Sequence, residues 1–192
     1  EMQVRAIADA SAKVYLESGI WPRAQIMMPM VGFISEMVKL RKNVQAILDE
    51  RTVSDVPIGM MIELPRTCVV ADEMTEAADF FSFGTNDLTQ TTLGFSRDDA
   101  ENAFMGKYTE EGILVSNPFE TLDVSGVGKL INMAVESVES SGHHMSFGAC
   151  GEHGGDPASI EFFHAAGLDY VSCSPFRIPI ARLAAAQAAL SV

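Results

Sequence analysis

Apolar residues recur at helical spacing through MQVRAIADASAKVYLES and stop at Gly19, a residue type that ends helices readily. A short apolar run, AQIMMPMVG at 24–32, follows and reads as a buried strand. The segment SEMVKLRKNVQAILDE then returns to helical spacing, and Ser35 at its start is the expected N-cap. This alternation continues along the chain. VPIGMMIEL reads as a strand, with Pro65 opening the helix after it, and FFSFG reads as a strand followed by the polar turn TNDLTQ. MSFGAC is a further strand, leading through glycines into the helix DPASIEFFHAAG; YVSCSP is the last strand and RIPIARLAAAQAALS the last helix.

Strands that are apolar without interruption are covered on both faces, and their alternation with helices predicts a parallel sheet in an α/β fold. About five β-α units are visible, against eight in a closed (β/α)₈ barrel of typically about 250 residues. Two architectures fit: a small open sheet, or the C-terminal part of a (β/α)₈ TIM barrel. A chain that opens inside a helical pattern favours the second, with residues 1–192 as a single domain. The stretch from Phe95 to Asp123, rich in charge, Gly and Asn, breaks the rhythm and reads as a long loop. Such a loop is either a surface excursion or a place for substrate contacts.

Composition removes several classes of function. With 26 acidic against 13 basic residues the formal charge is -13, which repels nucleic acid and anionic membranes. No apolar run approaches the roughly 20 residues that span a bilayer. The cysteines Cys68, Cys150 and Cys173 are an odd set without metal-ligand spacing, so a reducing compartment is expected.

The polar residues that carry chemistry sit at strand ends. Glu63 ends GMMIEL, Asn86 and Asp87 follow FFSFG, and Cys150 ends MSFGAC. In parallel α/β folds these ends share one rim, where ligands bind. Glu63 and Asp87 suit one hard cation such as Mg²⁺, which takes one or two carboxylates and completes its shell with water and substrate oxygens. Either acid alone could instead cap a helix, Asp87 more readily than Glu63. Cys150 reads as a small buried hydrophobe or as a proton donor to a carbanion-like carbon. His153, in CGEHGG, could carry a phosphoryl group, bind metal or hold a turn; without a second histidine at ligand spacing the last is expected. Arg97 lies close enough in sequence to reach an anion near Asp87, or pairs with Asp98 or Asp99.

The motifs MIELPR, FFSFGTNDLTQTTLGFSRDD, GACGEHGG and DYVSCSPFRIPIARLAAAQ together resemble the C-terminal phosphoenolpyruvate/pyruvate-binding domain of the PEP-utilizing enzymes, in the form found in the pyruvate, phosphate dikinases. GTNDLTQ and the CGE turn also occur in phosphoenolpyruvate synthases and in enzyme I of the sugar phosphotransferase system. The resemblance implies a barrel rim that binds pyruvate or phosphoenolpyruvate with Mg²⁺. It makes Glu63 and Asp87 metal ligands, and Gly84, Thr85, Asn86 and Asp87 substrate contacts. By the same likeness Arg97 binds phosphate, Cys150 protonates the enolate at its methylene carbon, and Tyr170 holds that end of the site. The carrier histidine of the family belongs to a separate phosphohistidine domain, and its nucleotide-binding domain lies upstream; neither is in this sequence, so His153 does not inherit the carrier role. The resemblance also implies a homodimer in the full enzyme, no activity for the chain alone, and the cytoplasm, or a plastid where a transit peptide has been removed.

Overall fold

The computed structural model describes residues 1–191. Among these, one sheet is formed by β1 (Ile26–Met28), β2 (Ile58–Ile62), β3 (Phe80–Gly84), β4 (Ser146–Cys150) and β5 (Tyr170–Ser172). All neighbouring pairs are parallel, and the spatial order β1-β2-β3-β4-β5 is the chain order. An order that never reverses is that of a (β/α) barrel wall, whereas doubly wound sheets reverse at a switch point. The five β-α units and the α/β class read from the sequence are therefore present, as part of a TIM-barrel-like sheet.

Ten helices surround the sheet among the described residues: α1 (Met2–Ser18), α2 (Ile34–Glu50), α3 (Pro65–Val69), α4 (Ala71–Met74), α5 (Thr85–Leu93), α6 (Arg97–Ala103), α7 (Met105–Glu110), α8 (Val127–Ser140), α9 (Pro157–Ala165) and α10 (Ile178–Leu190). Helix α1 stops as expected: Gly19 takes φ 71° and its N–H reaches the Tyr15 carbonyl at 2.7 Å. Helix α2 departs from expectation. It starts at Ile34, so Ser35 lies inside it and caps nothing. The Glu36 carboxylate takes over the entry by accepting the Gly32 N–H at 2.9 Å.

Two further expectations are corrected, and one element lies outside them. TNDLTQ is not a free turn but the start of α5, whose first turn carries Asp87 at the electropositive helix end. The stretch from Phe95 to Asp123 is not an irregular loop. Ser96 caps α6, and the apolar residues spaced among the charges, Ala100, Met105 and Phe119, build a small second core with Phe95, Phe104 and Leu114. Helix α8 has no counterpart among the elements expected. Its Val127, Ile131, Ala134, Val135 and Val138 form one buried face that packs on α3 and α4.

The register divides the sheet into two unlike faces. Ile58, Met60, Ile62, Phe81, Phe83, Phe147 and Ala149 point to the helices and join Met37, Leu48, Met74 and Ile131 in the main core. Each large side chain buried there stabilises the fold by roughly 1.5–3 kcal/mol. The opposite face alternates glycines with large residues. An added Cβ at Gly59 would strike the Phe80 ring at 2.6 Å, and one at Gly148 would strike the Tyr170 ring. Each glycine thus gives the neighbouring strand's side chain room to lie flat across the sheet. This inner face leads upward to the rim where the candidate residues meet.

Candidate active site

The ends of β2, β3 and β4 bring the predicted residues together. Gly84 is in register with Cys150, and Cys150 with Ser172. The Glu63 side chain lies across Gly84, where an added Cβ would collide with its carboxylate. Beyond Cys150 the chain turns at Gly151, with φ 117°, so tightly that an added Cβ would meet Thr85 Oγ1 at 2.7 Å and Asn86 Oδ1 at 2.9 Å. Only glycine accepts both that φ and that contact.

Glu63 is 2% exposed, and its Oε1 accepts the Met30 N–H at 2.6 Å. Met30 itself has φ 53°, a conformation that costs a non-glycine residue on the order of 1–2 kcal/mol. Burial raises the Glu63 pKa first; the Met30 hydrogen bond opposes this, and the adjacent Asp87 carboxylate raises it further. Asp87 is steadied in turn by Gln90, whose Nε2 donates to Oδ1 at 2.9 Å. Two carboxylates face each other, and among the described residues no basic side chain is hydrogen-bonded to either. A cation placed between them would relieve that repulsion. Among the described residues no group of three or more His, Cys, Asp or Glu side chains converges, so the pair suits an ion that retains water or substrate oxygens in its shell.

The buried pair gives a stability prediction. Because folding raises the Glu63 pKa, the folded chain holds more protons than the unfolded one. Stability is then lost as pH climbs from the ordinary carboxylate range through the raised value. In metal-free buffer at neutral pH, Glu63→Gln keeps an acceptor for Met30 and removes the buried charge beside Asp87, so it should raise the melting temperature. Thermal melts across pH check this; a glutamine variant less stable than the parent at neutral pH would contradict it.

Cys150 lies on the inner face beside two hydroxyls. Ser82 Oγ is 3.7 Å from its sulfur, and the thiol is directed at the Phe83 carbonyl at 3.6 Å. Burial pushes the thiol pKa up, the Ser82 hydrogen bond opposes this, and the Glu63 and Asp87 charges add to the rise. The group is therefore held as a thiol rather than a thiolate at neutral pH. Tyr170, whose ring covers Gly148, is 39% exposed; burial raises its pKa as well, and the nearby Ser82 hydroxyl opposes this. Cys68, by contrast, is sealed in the main core and pushed up to about 12.

The remaining candidates are placed differently. The Thr85 hydroxyl is buried and turned inward, 2.9 Å from the Cys150 carbonyl and 2.8 Å from His153 Nδ1. Asn86 Oδ1 accepts the Glu152 N–H at 3.2 Å. Arg97 is not turned toward Asp87. Its guanidinium pairs with Glu101 at 3.2 Å and stands 5.7 Å from the Phe119 ring centroid. Its backbone N–H binds Gln90 Oε1 at 2.8 Å, which links it to Asp87 through Gln90. His153 is fully buried with both ring nitrogens hydrogen-bonded, the arrangement of a turn residue rather than an accessible phosphoryl carrier.

Ser82 and Gln90 were not predicted as site residues. Ser82 had a signal, being the one hydroxyl in the apolar strand FFSFG, at the alternation that leads to Gly84. Gln90 had another, lying three positions after Asp87 on a helix, where side chains meet.

Residues 1–190 match the family described as PEP-utilising enzyme, PEP-binding domain. The chain is 51% identical to the pyruvate, phosphate dikinase of Rhizobium meliloti, covering 100% of this chain and 22% of that protein. It is 51% identical to the chloroplastic pyruvate, phosphate dikinase 1 of Arabidopsis thaliana over 97% of this chain and 20% of that one. The pyruvate, phosphate dikinase of Clostridium symbiosum is likewise 51% identical, over 100% of this chain and 22% of its own length. The chain thus spans about a fifth of the curated relatives it matches. Among solved structures, a citrate lyase from Burkholderia xenovorans superposes with a TM-score of 0.57 over 93% of this chain and 53% of its own, at 13% identity, a likeness of fold alone. On the match over residues 1–190 and these identities, the chain belongs to the PEP-utilising enzymes, as their PEP-binding domain.

Proposed function

We propose that this chain forms the pyruvate and phosphoenolpyruvate site of a pyruvate, phosphate dikinase. The observation that carries this reading is the convergence on one rim of a paired carboxylate site, Glu63 and Asp87, with a thiol kept protonated beside Ser82 and Tyr170. Glu63 and Asp87 hold Mg²⁺, and the chemistry the ion supplies when bound is neutralisation of developing negative charge on the substrate. The backbone of Gly84, Thr85 and Asn86 offers substrate contacts at the start of α5, where N–H groups and the helix dipole favour anions.

In the direction of pyruvate formation, the Cys150 S–H donates its proton to the methylene carbon of the enolate, closing the new methyl group, and the sulfur becomes a thiolate. In the reverse direction the thiolate takes a methyl proton from pyruvate. Ser82 sits within reach of the sulfur and can hydrogen-bond the thiolate while it exists. The enolate oxygen attacks a phosphohistidine on another domain, a transfer that needs mostly positioning and charge neutralisation. The fully buried His153 cannot be that carrier. Arg97 joins the phosphate site only on releasing Glu101. The compartment on this reading is the cytoplasm or, as the name of the Arabidopsis relative says of that protein, the chloroplast.

The direct test joins this chain to the remaining length of the Clostridium symbiosum dikinase in place of its matching segment. The chimaera should exchange pyruvate methyl protons with solvent deuterium and form phosphoenolpyruvate from ATP and phosphate. The 192-residue chain by itself should do neither. A folded chimaera without methyl-proton exchange would sink the assignment, and turnover by the isolated chain would show that the site needs no other domain.

A further inference from the structure

The hydroxyl of Thr85 stands between two groups that both want its one proton. His153 Nε2 lies 2.8 Å from the Pro118 carbonyl, an oxygen that can only accept, so Nε2 carries a proton. Nδ1 of the same ring lies 2.8 Å from Thr85 Oγ1, and that oxygen lies 2.9 Å from the Cys150 carbonyl, again an acceptor only. A hydroxyl donates a single hydrogen bond. With a neutral ring, Thr85 must donate either to Nδ1 or to the Cys150 carbonyl. With a proton on Nδ1, the ring donates to Thr85 and the hydroxyl is free to donate onward to Cys150.

We propose that His153 and Thr85 form a two-position proton switch beneath the turn that carries Cys150: a proton taken up at Nδ1 turns the Thr85 hydroxyl onto the Cys150 carbonyl and pins that strand end to α5. His153 is thereby a positioning residue. Among the described residues its ring hydrogen-bonds Thr85 and the Pro118 carbonyl, and it reaches the thiol through Thr85 and the backbone of Cys150. The Thr85 and Gly151 geometry leaves little slack for other arrangements, since an added Cβ on Gly151 would already meet Oγ1.

The charges around the ring come from several elements. Burial favours its neutral form; the Pro118 carbonyl, Asp156 and Glu152 favour the charged form, and Arg97 from α6 opposes it. Arg177, ahead of α10, packs its stem against Gly155 and directs a nitrogen at the Gly155 carbonyl, and Asp87 lies two residues beyond Thr85 in the first turn of α5. The neutral ring therefore prevails at neutral pH, with Thr85 donating to Nδ1. Acidification drives the switch to its pinned position.

The test uses the isotope-labelled 192-residue chain without substrate or metal, so it stands or falls apart from the proposed reaction. Long-range proton–nitrogen spectra report the tautomer and charge of the His153 ring, and carbonyl carbon shifts report Cys150. The ring should be the Nε2–H tautomer in mildly alkaline solution, and the Cys150 carbonyl resonance should move with the same midpoint as the ring on acidification. Thr85→Val should leave the ring titrating while the carbonyl loses its movement, and Thr85→Ser should restore it. A Cys150 carbonyl that ignores the ring's charge would overturn the proposal. So would an Nδ1–H tautomer in alkaline solution, a ring that stays neutral until acid unfolds the chain, or coupling that survives in Thr85→Val.

Discussion

Cys150→Ala in the chimaeric full-length enzyme is expected to lower pyruvate methyl-proton exchange by about 10²–10⁴-fold, the usual contribution of a positioned acid or base. The argument rests on geometry and protonation together. The sulfur sits on the inner face in register with Gly84, over which Glu63 lies, so a small substrate held by the carboxylate pair is within its reach. Burial and the two nearby negative charges keep the proton on sulfur, which is the state a donor must start from. Alanine removes the proton and leaves the strand intact, because Cys150 holds its neighbours through the backbone: its carbonyl meets Thr85 and its main chain pairs with Gly84 and Ser172. Phosphorylation of the histidine on the other domain by ATP should therefore survive. Loss of both reactions would instead give Cys150 a structural role.

The largest effect on stability is expected at Gly154. An added Cβ there would run into the Ser172 carbonyl oxygen, with the carbonyl carbon at 3.1 Å. The obstacle is backbone, part of the parallel pairing between β4 and β5, and it cannot swing aside as a side chain would. Gly154→Ala should cost about 3 kcal/mol, the upper range for overpacking, and lower the melting temperature by roughly 10 °C. Gly112→Ala is the control. That position has φ 70° but nothing within 4 Å of an added Cβ, so it pays only for its backbone conformation, about 1 kcal/mol. Calorimetric melts of the two variants side by side decide the matter; equal losses would show that crowding at Ser172 is not the cause.

Much of this arrangement is legible in the sequence alone, for physical reasons that differ between elements. IGMMI, FFSFG and SFGAC are buried on both sides and so appear as unbroken apolar runs, which place Glu63, Asp87 and Cys150 at strand ends. The helix stop at Gly19 depended on a local backbone preference and was equally readable. Ser35 was misleading because the helix begins one residue earlier, which puts Ser35 inside it, and the Glu36 carboxylate ties the entry by accepting the Gly32 N–H ahead of the helix. The segment after Phe95 hid two short helices because its apolar residues face a small separate core rather than the sheet. The Ser82 contact to Cys150 and the Gly154 contact to Ser172 depend on strand register, which spacing along one strand does not contain. Arg97 shows the same limit: nearness in sequence to Asp87 left open where its guanidinium turns, and Glu101 one helical turn on claims it.

The strand order has a consequence for how the chain acquires its shape. Among the described residues each strand pairs only with its immediate neighbours in chain order, so the sheet can grow in the order of synthesis. The one long gap is the segment between Gly84 and Ser146, about twice that between Met28 and Ile58. Doubling a loop adds only about 0.6 kcal/mol to the entropy of closing it. The excursion that carries α6, α7 and α8 therefore hardly burdens the equilibrium, but it makes the β3–β4 union the step with the highest contact order. Folding should be limited there, at the same junction where Gly84 meets Cys150.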